Sequence, residues 1–188
     1  MEEYFSVFKK LRGYFGQDNI LIGGSYAYSK YLNLRWNKKD IDIFILIPRM
    51  ETWALVTILK NIFDNVHTFD YGFSTNMAKA QKNKDNYYKI DNQWKRIVCN
   101  KNGMTYDLIF VDTDIEELIF DNTGSDISRI YYELTYSRYI LRLTNFSKDA
   151  ICRLESKICI IHEDKCTDAY VLKIKKLCNY LGFKIWKK

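Results

Sequence analysis

Two short runs hold residues whose types and spacing can do chemistry. They are Gly23-Gly24-Ser25, which follows Ile20-Leu21-Ile22, and Asp40-Ile41-Asp42, which opens Ile43-Phe44-Ile45. A strand that feeds a glycine turn and then a helix offers backbone amides and the positive end of a helix dipole to an anion. Glycine also lets the ligand approach the backbone closely. Ser25 adds a hydroxyl donor. Strand side chains alternate, so Asp40 and Asp42 share one face with Cα atoms about 6–7 Å apart. Two carboxylates that close repel each other, and either solvent or a bridging hard divalent cation such as Mg2+ relieves the repulsion. A third carboxylate would complete such a site. Asp107, the charge inside Met104-Thr105-Tyr106-Asp107-Leu108-Ile109-Phe110, is the leading candidate, ahead of Asp112 and Asp121.

Each signal has a plainer reading. Glycine pairs open many turns, and an acidic pair on a strand is often surface decoration. Their order, with strand, turn, helix and strand in succession and a later strand aspartate, makes the combination specific. Phosphate oxygens at the turn and cations at the aspartates would suit two-metal chemistry, in which one ion activates an attacking hydroxyl and the other stabilises a leaving pyrophosphate.

The elements that must position these residues follow from periodicity. Phe5, Phe8, Leu11, Tyr14 and Phe15 mark an amphipathic helix over 2–15, ended by Gly16. A strand over 20–22 leads into a helix over 24–34 that turns Tyr28, Tyr31 and Leu32 toward a core. A turn at 37–39 precedes the strand of Ile41, Ile43, Ile45 and Ile47, which Pro48 stops. A helix over 51–65 carries Trp53, Val56, Leu59, Ile62 and Phe63 on one side, and 67–73 reads as a strand. Residues 74–92 are polar and aperiodic and read as a loop. Strands over 94–99 and 104–111 form a hairpin about Lys101-Asn102-Gly103. A short helix over 114–121 follows, then a hairpin of 130–134 with 139–143, a helix capped by Ser147, a strand over 158–161, and a helix capped by Thr167 that ends at Leu181-Gly182-Phe183. The expected class is α+β: a mixed sheet with helices packed against it, then a β-rich and helical C-terminal portion. It reads as a single domain over 1–188 with a soft boundary near residue 125.

Composition narrows the classes. With 188 residues, 47% hydrophobic and 28% charged, the chain can bury a core, and its single proline argues against a disordered linker. No apolar run approaches the roughly 20 residues that span a bilayer, and the acidic start Met1-Glu2-Glu3 is unlike a signal peptide, so a cytoplasmic protein is expected. Five cysteines without a CxxC pair read as buried free thiols. The net charge of +6 gathers at Lys79, Lys82, Lys84 and Lys89 and again at Lys173, Lys175, Lys176, Lys184, Lys187 and Lys188. With Tyr87, Tyr88, Trp94 and Trp186 nearby, such clusters suit a nucleic-acid backbone with stacked bases, or equally a solvated lysine face with aromatics turned inward. His67 and His162 have no partner at metal-ligand spacing. Arg35, Lys38 and Lys39 precede the aspartates and read as a solvated turn or as triphosphate contacts.

Gly23-Gly24-Ser25 followed by Asp40-Ile41-Asp42 resembles the signature of the DNA polymerase beta-like nucleotidyltransferase superfamily. The resemblance covers residues 18–48 and extends to Asp107. The 14 residues between Ser25 and Asp40 (26–39) lie at the long end of the usual gap, which bears on the helix length. Residues 126–183 are loosely similar to stand-alone, often phage-encoded members. The resemblance implies nucleotide binding by Gly23, Gly24 and Ser25, with Mg2+ or Mn2+ held by Asp40, Asp42 and Asp107, which would also be the catalytic residues. It further implies transfer of a nucleoside monophosphate from an NTP to an acceptor hydroxyl with release of pyrophosphate. The basic charge favours RNA, such as a tRNA end, as acceptor; protein and small-molecule acceptors stay open, as does the oligomeric state. The alternative is a nucleotide- or RNA-binding module that keeps the fold without turnover.

Overall fold

A computed structural model describes residues 4–16, 18–36, 40–69, 93–121, 123–134 and 141–187. The expected loop over 74–92, with its lysines and Tyr87 and Tyr88, and the turn at 37–39 lie outside them. The described residues fall into two compact units that interleave in sequence. One takes residues up to 69, 93–114 and those within 131–144; the other takes 115–130 and 145–187.

The first unit is built on a seven-stranded mixed sheet. Its elements are α1 (Tyr4–Phe15), β1 (Ile20–Gly23), α2 (Gly24–Tyr31), β2 (Asp40–Leu46), α3 (Thr52–Lys60), β3 (Asn65–Phe69), β4 (Gln93–Lys101), β5 (Met104–Val111), β6 (Tyr132–Leu134) and β7 (Leu141–Leu143). The strand order is β3-β4-β5-β2-β1-β6-β7. Only β2 and β5 run parallel; every other neighbouring pair is antiparallel. Ile41, Ile43 and Ile45 are fully buried on one face of β2, and Phe44 and Leu46 are buried on the other. Asp40 and Asp42, which share the Phe44 face, are half-buried. The strand is therefore two-sided core along most of its length, and the carboxylates sit at its rim.

The β4–β5 hairpin turns on two residues, Asn102 and Gly103, whose φ values of 50° and 74° match the twist of antiparallel strands. The helices bury narrower stripes than their apolar residues suggest. In α1 the buried set is Val7, Phe8, Leu11 and Phe15, while Tyr14 is exposed. Around α3 it is Leu55, Leu59, Ile62 and Phe63, while Trp53 is 72% exposed. Trp and Tyr have enough apolar surface to imitate a core position in a periodicity argument, and a shift of one residue along the helix moves them outward. Two helices are shorter than expected: α2 ends at Tyr31 and α3 at Lys60. Strand β3 begins two residues earlier than expected, at Asn65.

The second unit holds α4 (Ile115–Asp121), α5 (Lys148–Glu155), β8 (Ile158–Ile161), α6 (Asp168–Leu181) and β9 (Lys184–Lys187). The lysine-rich end is thus a strand, parallel to β8, with Ile160 opposite Trp186. Thr167 caps α6 by accepting from the Tyr170 amide at 3.3 Å, and Gly182 closes it with φ 70°. Ser147 precedes α5 but does not cap it; its hydroxyl donates to the Arg129 carbonyl at 2.7 Å. All five cysteines are free; Cys99, Cys159 and Cys178 are buried, Cys166 is half-buried and Cys152 is exposed.

Asp126 is the hub of this unit. Its side chain is 0% exposed, accepts from Arg153 Nη2 at 2.7 Å and Nε at 3.0 Å, and accepts from the Ile160 amide at 2.8 Å. Beside it Ser125 Oγ meets Tyr170 Oη at 2.9 Å. Breaking such a pair leaves a buried charge without a partner, so Arg153→Ala is expected to lower stability by about 3 kcal/mol in urea unfolding. A loss under about 1 kcal/mol, the scale of an exposed pair, would show that Asp126 is held by something else.

Candidate active site

The sheet register brings the candidate residues together. Across β1 and β2, Gly23 is opposite Asp42; across β2 and β5, Asp42 is opposite Asp107 and Asp40 is opposite Thr105. One lane across three strands therefore reads Gly23, Asp42, Asp107, with Asp40 two residues from Asp42 on the same face. Asp112 lies five residues further along, past the end of β5, and is exposed beside Arg49. At about 3.3 Å per residue that is roughly 16 Å from Asp107, too far to share a cation with Asp42. The side chain of Asp121 lies outside the described residues.

Gly24 opens α2 with φ 63°, a region that side-chain-bearing residues enter at a cost. A Cβ built on it would stand 1.7 Å from Asp42 Oδ2. The Asp42 carboxylate thus occupies the space of a side chain at residue 24, and the Ser25 amide at the start of α2 donates to it. Gly23 is equally confined: a Cβ there would lie 2.7 Å from Phe44 Cε2 and 2.8 Å from Tyr131 Cε1. Both glycines are required by neighbours that approach the backbone, and not by the turn alone. Ser25 Oγ is buried and makes no hydrogen bond to any described residue. A buried hydroxyl left unpaired costs about 1–3 kcal/mol.

Electrostatics concentrate on Asp42. Its carboxyl is pushed up from an ordinary 3.8 to about 7, first by burial, then by the charges of Asp107 and Asp40; the Ser25 amide and Arg96 pull the other way. Arg96 on β4 forks onto Asp107, with Nε 2.8 Å from Oδ1 and 3.0 Å from Oδ2, and Nη2 also donating to Oδ2. Tyr28 is half-buried rather than core, and its hydroxyl is raised by burial and then by Asp42 and Asp40. Sequence reasoning missed both Arg96 and Tyr28. For Tyr28 the signal was present, because it stands four residues after Gly24 and so on the helix face that carries Gly24.

The donor set suits a hard cation: it is made of carboxylates alone, at a rim, and burial and the like charges of Asp107 and Asp40 leave Asp42 with an excess of negative charge that a positive ion would relieve. Among the described residues, no three acidic, histidine or cysteine side chains converge as a finished cage. Asp40 and Asp42 would hold an ion, with Asp107 joining from the adjacent strand.

Solved structures share this architecture. The Thermotoga maritima CCA-adding enzyme complexed with tRNA superposes with a TM-score of 0.61 at 12% identity over 97% of this chain. The chain shares its fold with part of a CCA-adding enzyme. A CCA-adding enzyme in complex with CTP matches with a TM-score of 0.55 and 12% identity over 97% of the chain, and an apo tRNA-processing enzyme with 0.56 and 12% over 96%. The chain spans about two fifths of these structures, 38%, 39% and 44% of their lengths. No protein-family model and no curated protein matches the sequence. On this CCA-adding-enzyme-like fold, the α+β class and the mixed sheet expected from periodicity are found. No described helix is long and apolar enough to cross a membrane.

Two outcomes follow for the metal-free protein. Asp42 titrates higher folded than unfolded, so its contribution to stability is full below about pH 4, falls as pH rises, and is gone above about pH 7. Asp42→Asn in EDTA is therefore expected to raise Tm relative to wild type more at pH 8 than at pH 5; a gain that shrinks with pH contradicts the repulsion. Gly24→Ala forces a methyl into the carboxylate at positive φ, and is expected to cost about 2 kcal/mol or more in thermal or urea unfolding. Adding Asp42→Gly to the Gly24→Ala variant makes room for that methyl and should recover part of the loss.

Proposed function

We propose that the chain is a divalent-metal-dependent nucleotidyltransferase that moves a nucleoside monophosphate from an NTP to an acceptor hydroxyl and releases pyrophosphate. The observation that carries this reading is the lane Gly23, Asp42, Asp107, with the Asp42 carboxylate packed against Gly24 at the start of a helix. The unpaired Ser25 hydroxyl beside that helix start suits a phosphate oxygen. Asp40 and Asp42 would hold Mg2+ or Mn2+, which supplies Lewis-acid stabilisation of the triphosphate.

The work of the chain's own residues follows from their places. Gly24 lets Asp42 pack against the start of α2, whose backbone amides face the triphosphate, and Ser25 Oγ donates to it. Asp107, opposite Asp42, accepts the proton of the acceptor hydroxyl as its oxygen bonds to the α-phosphorus. The bond from that phosphorus to the β-phosphate bridging oxygen breaks, and pyrophosphate leaves. RNA, including a tRNA end, is the preferred acceptor. Support comes from the fold shared with a CCA-adding enzyme complexed with tRNA, from the +6 charge, and from exposed Tyr180 and Trp186 among the lysines of α6 and β9. Trp94 is half-buried, with its indole packed on Phe110 and donating to the Ile47 carbonyl, so it offers less of its surface to bases than Tyr180 and Trp186. Part of the C-terminal charge is also neutralised, since Lys175 and Lys187 both pair with Glu163.

One observation favours a second reading, a binding module without turnover: Arg96 already neutralises Asp107. The two readings separate in a labelling experiment with each α-labelled NTP, Mg2+ or Mn2+, and total RNA or lysate. Transfer of label that falls at least a hundredfold in Asp40→Ala and Asp42→Ala supports the enzyme. Retained NTP binding with no transfer supports the module, and equal labelling by those variants overturns the assignment of the aspartates.

A further inference from the structure

Arg96 is a charged residue of the first unit that the reaction described above does not use. Hairpin register sets Arg96 opposite Ile109 and Val98 opposite Asp107, so Arg96 reaches Asp107 diagonally along one face. Its guanidinium engages both carboxylate oxygens. The two partners are unequally confined: the Arg96 side chain is 34% exposed and that of Asp107 only 11%. The carboxylate is therefore the more confined partner, and the arginine side chain the more exposed one.

We propose that Arg96 is a built-in counter-ion that holds Asp107 in the metal-free protein and yields it when a divalent cation arrives. This rests on the metal assignment above and adds a positioning residue to it. A corner with Asp40, Asp42 and Asp107 all ionised and no cation is electrostatically unfavourable, and a forked guanidinium offsets one of the three charges. The same contact competes with the metal, because a carboxylate saturated by a fork donates less well to a second cation. Arg96 is therefore a brake on metal loading, and it protects the metal-free fold.

The test is Mn2+ binding without nucleotide, read from the free-ion EPR signal, with metal-free Tm measured in parallel. Arg96→Gln is expected to bind Mn2+ about tenfold more tightly than wild type while its Tm in EDTA falls; removing a supporting outer-sphere partner ordinarily costs about 10–100-fold in metal affinity, so a gain marks Arg96 as a competitor for Asp107. Arg96→Lys keeps the charge without the fork and is expected to fall between; it also decides the matter if Arg96→Gln does not fold. Binding in Arg96→Gln, or in Arg96→Lys where the first is unfolded, that is equal to or weaker than wild type overturns the proposal. If Asp42→Asn abolishes binding in that case, the metal assignment stands and the brake alone falls. Equal binding by wild type, the Arg96 variants and Asp42→Asn overturns both.

Discussion

The Asp42 carboxylate stands where a side chain at residue 24 would be, and much of the first unit is arranged around that contact. It requires glycine at 24, a positive φ at the start of α2, and a β1 that runs antiparallel to β2 in the register that sets Gly23 opposite Asp42. Those conditions place the Ser25 amide on the carboxylate and the Ser25 hydroxyl in a buried position beside it. On the other side of Asp42, the one parallel pairing of the sheet delivers Asp107 from β5. A strand, a turn and a helix start thus meet at one oxygen atom.

Charge follows from this packing. Burial, and after it the charges of Asp107 and Asp40, push the Asp42 carboxyl up to about 7, and the Ser25 amide and Arg96 offset only part of that. The second unit offers a contrast in Asp126, which is more deeply buried than Asp42. Arg153 and the Ile160 amide satisfy both of its oxygens. A saturated buried carboxylate is costly only when its partner is lost, and an unsaturated one with like-charged neighbours is a place where a cation is favoured. Their surroundings, and not their residue type, distinguish the two aspartates.

Much of the element order was legible because it is local. Alternation of Ile41, Ile43 and Ile45 marked β2, and Asn102-Gly103 marked the hairpin that fixes the β4–β5 register. Counting back from that turn would have set Arg96 diagonal to Asp107, although nothing in the motif asks for it. The helix faces were read less well, since Tyr14 and Trp53 look apolar enough for a core and stand in solvent. Strand β9 was missed because Lys184-Ile185-Trp186-Lys187 reads as a basic tail. It becomes a strand only by pairing with β8, whose residues stand 26 positions earlier in the chain.

By itself the sequence determined the chemistry on offer: glycines and a serine at a helix start, two aspartates on one strand face, and a lone charge within an apolar strand. Those relations span a few residues, and backbone geometry dictates them. Tertiary structure decided what the charges meet. The parallel pairing of β2 with β5, the fit of Asp42 against Gly24, the nearness of Tyr28 to the carboxylates and the hold of Arg96 on Asp107 all depend on which strands lie side by side and in what register. Hydrogen bonds between distant segments set that register, and a slip of one residue would turn every carboxylate to the opposite face.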